Sequence, residues 1–413
     1  MFQKRFISIG LLFGCLSFLL PVHSKAFADD AKVLPKHVWR VQLISTMSYI
    51  EDKFDSSGTS VSLGSGYSQT INAQFLAALK PQAQNLVKSL NQVSPGLGDH
   101  LDIADLGMNI ETNIMANRFV MEYGLTDRLS VGVILPVVHA EVSVKANSST
   151  TDQFNQTLNS VPAPYRSALL AMQSATTVAA LNQTLQNDLG YDSGLNSWSG
   201  SGIGDLELGA KYNYYRSFPF QLTAKTGVRV PTGRTDDPNN LFDVGFGDGQ
   251  FDVGIFNYAD YQALSNLYFT WETGYTAQLP HSTIFRVPVI NGVQISGVKA
   301  KLDQDLGDIV ETGLEANLAF LKTMYGSVKY HFWHKFSDSY SGEPSGVPTS
   351  AMEANTAETL HEGIFRIGLS TLPLRKSDRN VVPLDVSLFY NLPIAGENIA
   401  QVQTAGLQLK SYF

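Results

Sequence analysis

Residues Gly202–Tyr215 read GIGDLELGAKYNYY. Leu206, Leu208, Ala210, Tyr212 and Tyr214 share one parity, and Asp205, Glu207, Gly209, Lys211 and Asn213 share the other. A β-strand sends successive side chains to opposite faces, so this period predicts a strand with one oily face ending in tyrosines and one charged face. The same period recurs from Phe220 to Val230, Leu267 to Leu279, Val310 to Phe320 and Val382 to Leu392. Alternation alone also suits a soluble sandwich. Three further features point to a membrane. The alternating segments run about ten residues or more, as a tilted strand needs to cross a bilayer. Aromatics such as Trp39, Tyr49, Tyr212, Tyr214, Phe320 and Phe413 gather at the ends of the apolar faces, where interfacial girdles sit. The joins alternate short and long; Leu125–Arg128, Ser217–Pro219, Asp260–Ser265, Leu321–Met324 and Leu372–Asn380 are short.

About twelve such segments are counted by this test. An open sheet in lipid would leave unpaired edges, so the sheet must close. The predicted fold is all-β: a closed antiparallel transmembrane β-barrel of about twelve strands, with both termini on the periplasmic side.

The N-terminal residues carry an address. Lys4 and Arg5 precede an apolar run from Phe6 to Leu20, followed by Pro21 and Ala26-Phe27-Ala28. This is the pattern of a secretory signal peptide over residues 1–28, with the barrel over 29–413. The 29 Lys and Arg against 37 Asp and Glu become 26 against 37 without Lys4, Arg5 and Lys25, so the exported chain is acidic. Bulk charge therefore argues against nucleic acid as a partner. The single cysteine, Cys15, lies in the apolar run. A chain cut after Ala28 has no disulfide, thiolate metal site or cysteine nucleophile.

Two long insertions, residues 51–105 and 145–202, contain helical spacing. The first carries Ile71, Phe75, Leu79, Leu86 and Leu90, interrupted by Pro81; the second carries Leu169, Met172, Val178, Leu181 and Leu185. Either they form a lid or plug over the barrel mouth, or they pack as helices on the extracellular rim.

Three stretches, YGLTDRLSVGVILPVV (Tyr123–Val138), GIGDLELGAKY (Gly202–Tyr212) and TGVRVPTGR (Thr226–Arg234), resemble the outer-membrane channel family named for the meta-pathway of phenol degradation. The resemblance rests on a Tyr-Gly-Leu-Thr-Asp turn, a Gly-x-Gly-Asp strand start and a Pro-Thr-Gly strand end, and runs in order from Tyr123 to Phe413. It implies a barrel that passes small aromatic or hydrophobic compounds. Hydrophobic-compound channels of the better-understood kind hold an N-terminal hatch in the lumen. Here only about nine residues separate Ala28 from the first strand, so any plug is expected from the loops. The last strand ends LQLKSYF, which resembles the signal that barrel proteins present to the barrel-assembly machinery through a terminal Phe413. Outer-membrane lipids and lipopolysaccharide are the other expected partners.

The inward-facing charges are the candidate functional residues: Asp205, Glu207, Lys211, Lys225, Arg229, Glu272, Glu311, Glu315, Lys329, His331, Arg366 and Asp385. They either line a narrow wet pore or lock to one another as a plug, since buried ions demand partners. His331 and His334 are three apart, which on a strand sends them to opposite faces, so they do not share a metal ion. The DVGFGDGQFD stretch (Asp243–Asp252) has glycines and carboxylates but precedes a strand and lacks calcium-loop spacing; it reads as a Gly-rich return into the barrel. No Gly-x-Ser-x-Gly occurs, and His139, His361, Asp338 and Glu358 near the loop end form no recognisable catalytic motif. The expectation is a passive channel with no cofactor and no covalent step. A structural or adhesive barrel acting through its long loops is the alternative, and an outer-membrane hydrolase the less favoured one.

Overall fold

The computed structural model describes residues 30–79, 81–287, 295–342, 349–375 and 380–413; the predicted signal peptide lies outside the described residues. Twelve strands form the wall: β1 (Trp39–Ile50), β2 (Asp102–Gly124), β3 (Leu129–Thr150), β4 in two pieces (Trp198–Ile203 and Leu206–Ser217), β5 (Phe220–Val230), β6 (Asp252–Leu264), β7 (Leu267–Gln278), β8 (Ile309–Ala319), β9 (Met324–Lys335), β10 (Glu358–Ser370), β11 (Leu384–Glu397) and β12 (Gln403–Tyr412). Each pairs antiparallel with its neighbours in sequence. The ring closes where β12 meets β1, in register from Arg40 opposite Tyr412 to Tyr49 opposite Gln403.

The distribution of oil and charge is the reverse of a soluble sheet. Leu314, Val328, Tyr330, Phe365 and Ile367 are exposed on the outer face, while Glu272, Glu315, Lys329 and His331 are buried on the inner one. Water would not leave such a surface bare; a hydrocarbon slab would.

β2 and β3 have 23 and 22 residues, about twice what a crossing needs. In the sequence, alternation by itself covers only Leu106–Tyr123 and Leu129–Val144. β2's apolar residues change parity in the sequence between Ile114 and Phe119, yet the backbone keeps one parity facing inward throughout. Below the slip, Arg118, Val120 and Glu122 face the lumen while Phe119 and Met121 face out; above it, Met108, Ile110 and Ile114 face in and are buried. The environment inverts at the membrane boundary, and the strand does not.

What buries the upper half is a cap made by the insertions. Helices α1 (Ala73–Leu79), α2 (Pro81–Val93), α3 (Asp152–Ser160), α4 (Ala163–Ala175) and α5 (Val178–Gln183) share one apolar core with the tops of β2 and β3. Leu90, Leu169 and Met172 meet Ile110, Val138 and Val142 there. Pro81 ends α1 and opens α2, its missing N–H falling where no helical partner exists. Thr151 caps α3 by accepting from Phe154 N at 3.1 Å. Ile71, expected on a helix, instead lies in a short strand, Gln69–Asn72, added to the top of β2.

Leu314 sits mid-strand on the outward face of β8. Leu314→Arg is expected to cost about 2–4 kcal/mol of folding stability in lipid vesicles, and Ser149→Arg, outward on β3 above the apolar belt, almost none. Denaturant titration of both in the same vesicles checks this, and equal losses would refute the placement of the belt.

Candidate functional site

Of the twelve predicted residues, Asp205, Glu207, Lys211, Lys225, Glu272, Glu315, Lys329, His331 and Asp385 are buried, and Arg229, Glu311 and Arg366 half-buried. Eleven of them fall into three groups, and Glu315 stands beside the first, in register with Lys329.

The first is carried by four adjacent strands. Registers place Glu272 (β7) opposite Gly313 (β8), Gly313 opposite His331 (β9), and His331 opposite Glu362 (β10). His331 Nδ1 lies 2.8 Å from Glu362 Oε1, and its Nε2 2.9 Å from Glu311 Oε2 and 3.9 Å from Glu272 Oε1. Lys329 Nζ meets Glu272 Oε1 at 2.6 Å. Gly313 makes room: a Cβ there would lie 2.8 Å from both Glu272 Oε1 and Lys329 Cε. Glu272, Glu311 and His331 offer ligand atoms all within 4.8 Å of one another, so this set could hold a divalent cation. His334 points to the other face, against Thr359 and Phe336. No pairing of the two histidines is possible, but strands distant in sequence supply His331 with carboxylates. Glu362 escaped the sequence reading although it lies in the same period.

The second group is basic. Lys211 (β4) stands in register with Lys225 (β5), their ammonium groups 5.0 Å from the Tyr258 ring and 4.9 Å from the Phe256 ring respectively. Arg366 (β10) donates to Gln408 Oε1 at 3.0 Å and faces Phe389. Asp385 accepts from Tyr325 Oη at 2.9 Å. Arg40 and Glu122, buried and ion-paired across β1 and β2, belong here and follow the same two-residue alternation.

The third group holds the rim at the long-loop end. Asp205 stands between the two pieces of β4 and not on a strand, a correction to its expected place. There its Oδ1 accepts from Gly233 N at 2.8 Å and its Oδ2 from Asp248 N at 3.3 Å. It therefore clasps the β5–β6 loop (residues 231–251) to the wall. The clasp requires Gly247, whose Cβ would lie 2.2 Å from Asp205 Oδ1. Arg229, in register with Glu207, reaches Asp252 at 2.9 Å and Asp248 at 3.6 Å. Within the loop Arg234 forks onto Asp243. The DVGFGDGQFD stretch is thus a folded return whose Val244 and Phe246, with the preceding Phe242, join the cap core.

The expectation that any plug comes from the loops needs a correction: the insertions cap one end of the barrel, but the N-terminal segment also fills the lumen. The chain turns at His37, whose φ is +67°, and residues 30–35 enter the lumen from the end that carries the short turns. Ala31 is fully buried; its N–H donates to Asp260 Oδ1 at 3.1 Å and its carbonyl accepts from Asn213 Nδ2 at 3.2 Å and from Thr223 Oγ1. Leu34 N donates to Ser130 Oγ at 2.8 Å, and Lys211 Nζ donates to the Asp30 carbonyl. Lys32 lies over the Tyr268 ring. A hatch domain was not needed: extended chain covers about 3.3–3.6 Å per residue, so six residues reach roughly 20 Å into a barrel this narrow. This strap has no periodicity for a sequence to show, and only the inward polar partners reveal its place.

No family model and no curated protein sequence matches the chain. Among solved structures, an outer membrane channel from Pseudomonas putida F1 is similar at a TM-score of 0.52 and 12% identity, over 93% of this chain and 98% of that one. The toluene transporter TbuX from Ralstonia pickettii aligns at 0.35 and 11% identity, over 92% and 90% of the chains. The translocator domain of the autotransporter NalP from Neisseria meningitidis aligns at 0.38 and 6% identity, over 95% of each. At these identities the first likeness speaks to the fold alone and the other two carry no argument. The chain has the fold of an outer-membrane β-barrel: twelve antiparallel strands, closed, with its charges turned inward.

Burial, with Asp243 nearby, pushes the Asp236 carboxyl in the β5–β6 loop up to about 8; burial, offset by Arg229, leaves Asp248 at about 7. Both folded values exceed the ordinary carboxylate value, so the folded loop keeps protons that an opened loop releases. Its stability is then full below about pH 4 and falls as pH rises toward 8. Amide exchange of residues 231–251, corrected for intrinsic rates, is expected to be faster at pH 8.5 than at pH 5, and Asp236→Asn to flatten the difference. Unchanged protection across that range would refute the burial of these carboxyls.

Proposed function

We propose that the protein is an outer-membrane channel for the passive uptake of small aromatic or hydrophobic compounds. The observation that carries the reading is a lumen of two characters. Ile44, Val120 and Ile134 form a buried apolar cluster with Phe389 on the inner face of the wall, and Arg366 faces Phe389 across it. Apolar surface turned inward at membrane depth is no use for anchoring in lipid, but it suits a small apolar solute moving past charged neighbours. The resemblance of Tyr123–Val138, Gly202–Tyr212 and Thr226–Arg234 to the phenol meta-pathway channel family supports the same substrate class, and the leader-like pattern of residues 1–28 supports export. On this reading the outer apolar face contacts lipids and lipopolysaccharide, and Phe413, 71% exposed at the end of β12, is the group the assembly machinery meets.

No covalent step is involved; the barrel lowers the cost of carrying a solute past the polar lipopolysaccharide layer. The strap is the part that must yield. Its ties are side-chain hydrogen bonds, each worth about 0.5–1.5 kcal/mol net, against a wall held by continuous backbone pairing. Cells expressing the protein are expected to take up a radiolabelled aromatic solute several-fold faster than vector controls. Deleting Asp30–Leu34 is expected to raise both uptake and single-channel conductance in planar bilayers. Equal uptake with and without the protein, together with no conductance from the deletion variant, would overturn the proposal.

A further inference from the structure

The charges in the lumen are mixed in sequence but sorted in space. Around the wall from β10 through β12 and β1 to β5, the inner face carries Arg366, Lys410, Arg40, Arg118, Lys211, Lys225 and Arg229, against Asp385, Glu122 and Glu207. From β6 through β10 it carries Asp252, Asp260, Glu272, Glu311, Glu315, Glu358 and Glu362, against Lys329, His331 and Lys335. The strap lies between the two arcs. Its Asp30 carboxylate is 3.1 Å from Lys32 and 3.7 Å from Lys211, and Arg40 and Lys410 are within electrostatic range of it. Lys211, buried to 2% exposure, donates to the Asp30 carbonyl and faces the Tyr258 ring, with Arg40, Lys225 and Glu122 also within electrostatic range of it. Such a concentration of buried positive charge calls for an anion, and Asp30, on a tether, supplies one.

Resting on the channel reading and narrowing it, we propose that the transported class is small organic anions, aromatic carboxylates among them, and that Asp30 is a tethered occupant of their seat on Lys211. A free anion arriving along the basic arc competes with Asp30 for Lys211; when it wins, the strap loses its carboxylate tie and gives way, and the same anion moves on. The acidic arc opposite excludes a second anion from that side and leaves cations no answering seat at the strap. The apolar cluster of Ile44, Val120 and Ile134 then receives the organic part of the solute.

The test uses the full chain reconstituted in liposomes, with solutes of fixed charge that do not cross lipid unaided: benzenesulfonate as anion and phenyltrimethylammonium as cation. The wild type is expected to pass the anion about tenfold faster than the cation. Asp30→Asn should raise anion flux several-fold with little effect on the cation, and Lys211→Gln should erode the preference. A nitroxide at Val33→Cys, in a chain whose one native cysteine is Cys15, reports the strap directly. Benzenesulfonate should mobilise the label and phenyltrimethylammonium should not. Equal flux of the two ions, or a label indifferent to the anion, would overturn the inference while leaving a channel. Absence of all flux, even from the strap deletion, with the label still mobilised by the anion alone, would instead keep the anion seat and overturn the channel.

Discussion

A bilayer offers no water to a peptide group. Every backbone N–H and C=O that enters it must find a partner within the protein, and an open sheet always leaves two rows without one. Closure of β12 on β1 removes those rows, and much of the remaining structure follows from it. A closed wall has an outside, which must be oily, and an inside, which can be charged. The two-residue alternation records that division. With the inside narrow, inward charges lie near one another and must be arranged to tolerate it: Arg40 with Glu122, Lys329 with Glu272, His331 between Glu311 and Glu362.

Above the membrane the constraint relaxes and the same strands are reused. β2 and β3 continue past the hydrocarbon with their inward side unchanged in direction but changed in chemistry, from Arg118 and Glu122 to Ile110 and Met108. A packed cap of helices replaces the lumen there. The β5–β6 loop joins it, tied to the wall through Asp205 at the one place where β4 is broken. Cap and lumen are thus two solutions to one problem, the filling of a barrel's interior, the first with apolar side chains and the second with ion pairs and a strap.

The strap changes how the charged interior reads. Taken as isolated pairs, the inward residues form a stiff lattice with no role for any solute. With residues 30–35 in place, a short segment held by Lys211, Asn213, Thr223, Asp260 and Ser130 occupies the short-turn end of the lumen. Its bonds are few and made to side chains, whereas the wall's are many and made to backbone. The weaker element is the one positioned to move.

The sequence by itself determined whatever depends on local period. The twelve crossings, the inward parity of Lys211 or His331, the break at Pro81 and the short turns could all be read there, because strand geometry fixes which side chains share a face. Even the missed Arg40, Glu122 and Glu362 lay within that period. Only the tertiary structure decided what depends on which strands are neighbours and what fills the space between them. Glu272, Glu311, His331 and Glu362 meet through four registers that no single strand encodes. The sorting of charge into two arcs, and the strap between them, arise from ring closure, which brings residues nearly two hundred positions apart, such as Asp30 and Lys211, into contact. Contacts of that kind leave no periodic trace, because the chain that makes them is extended, short and held by its surroundings.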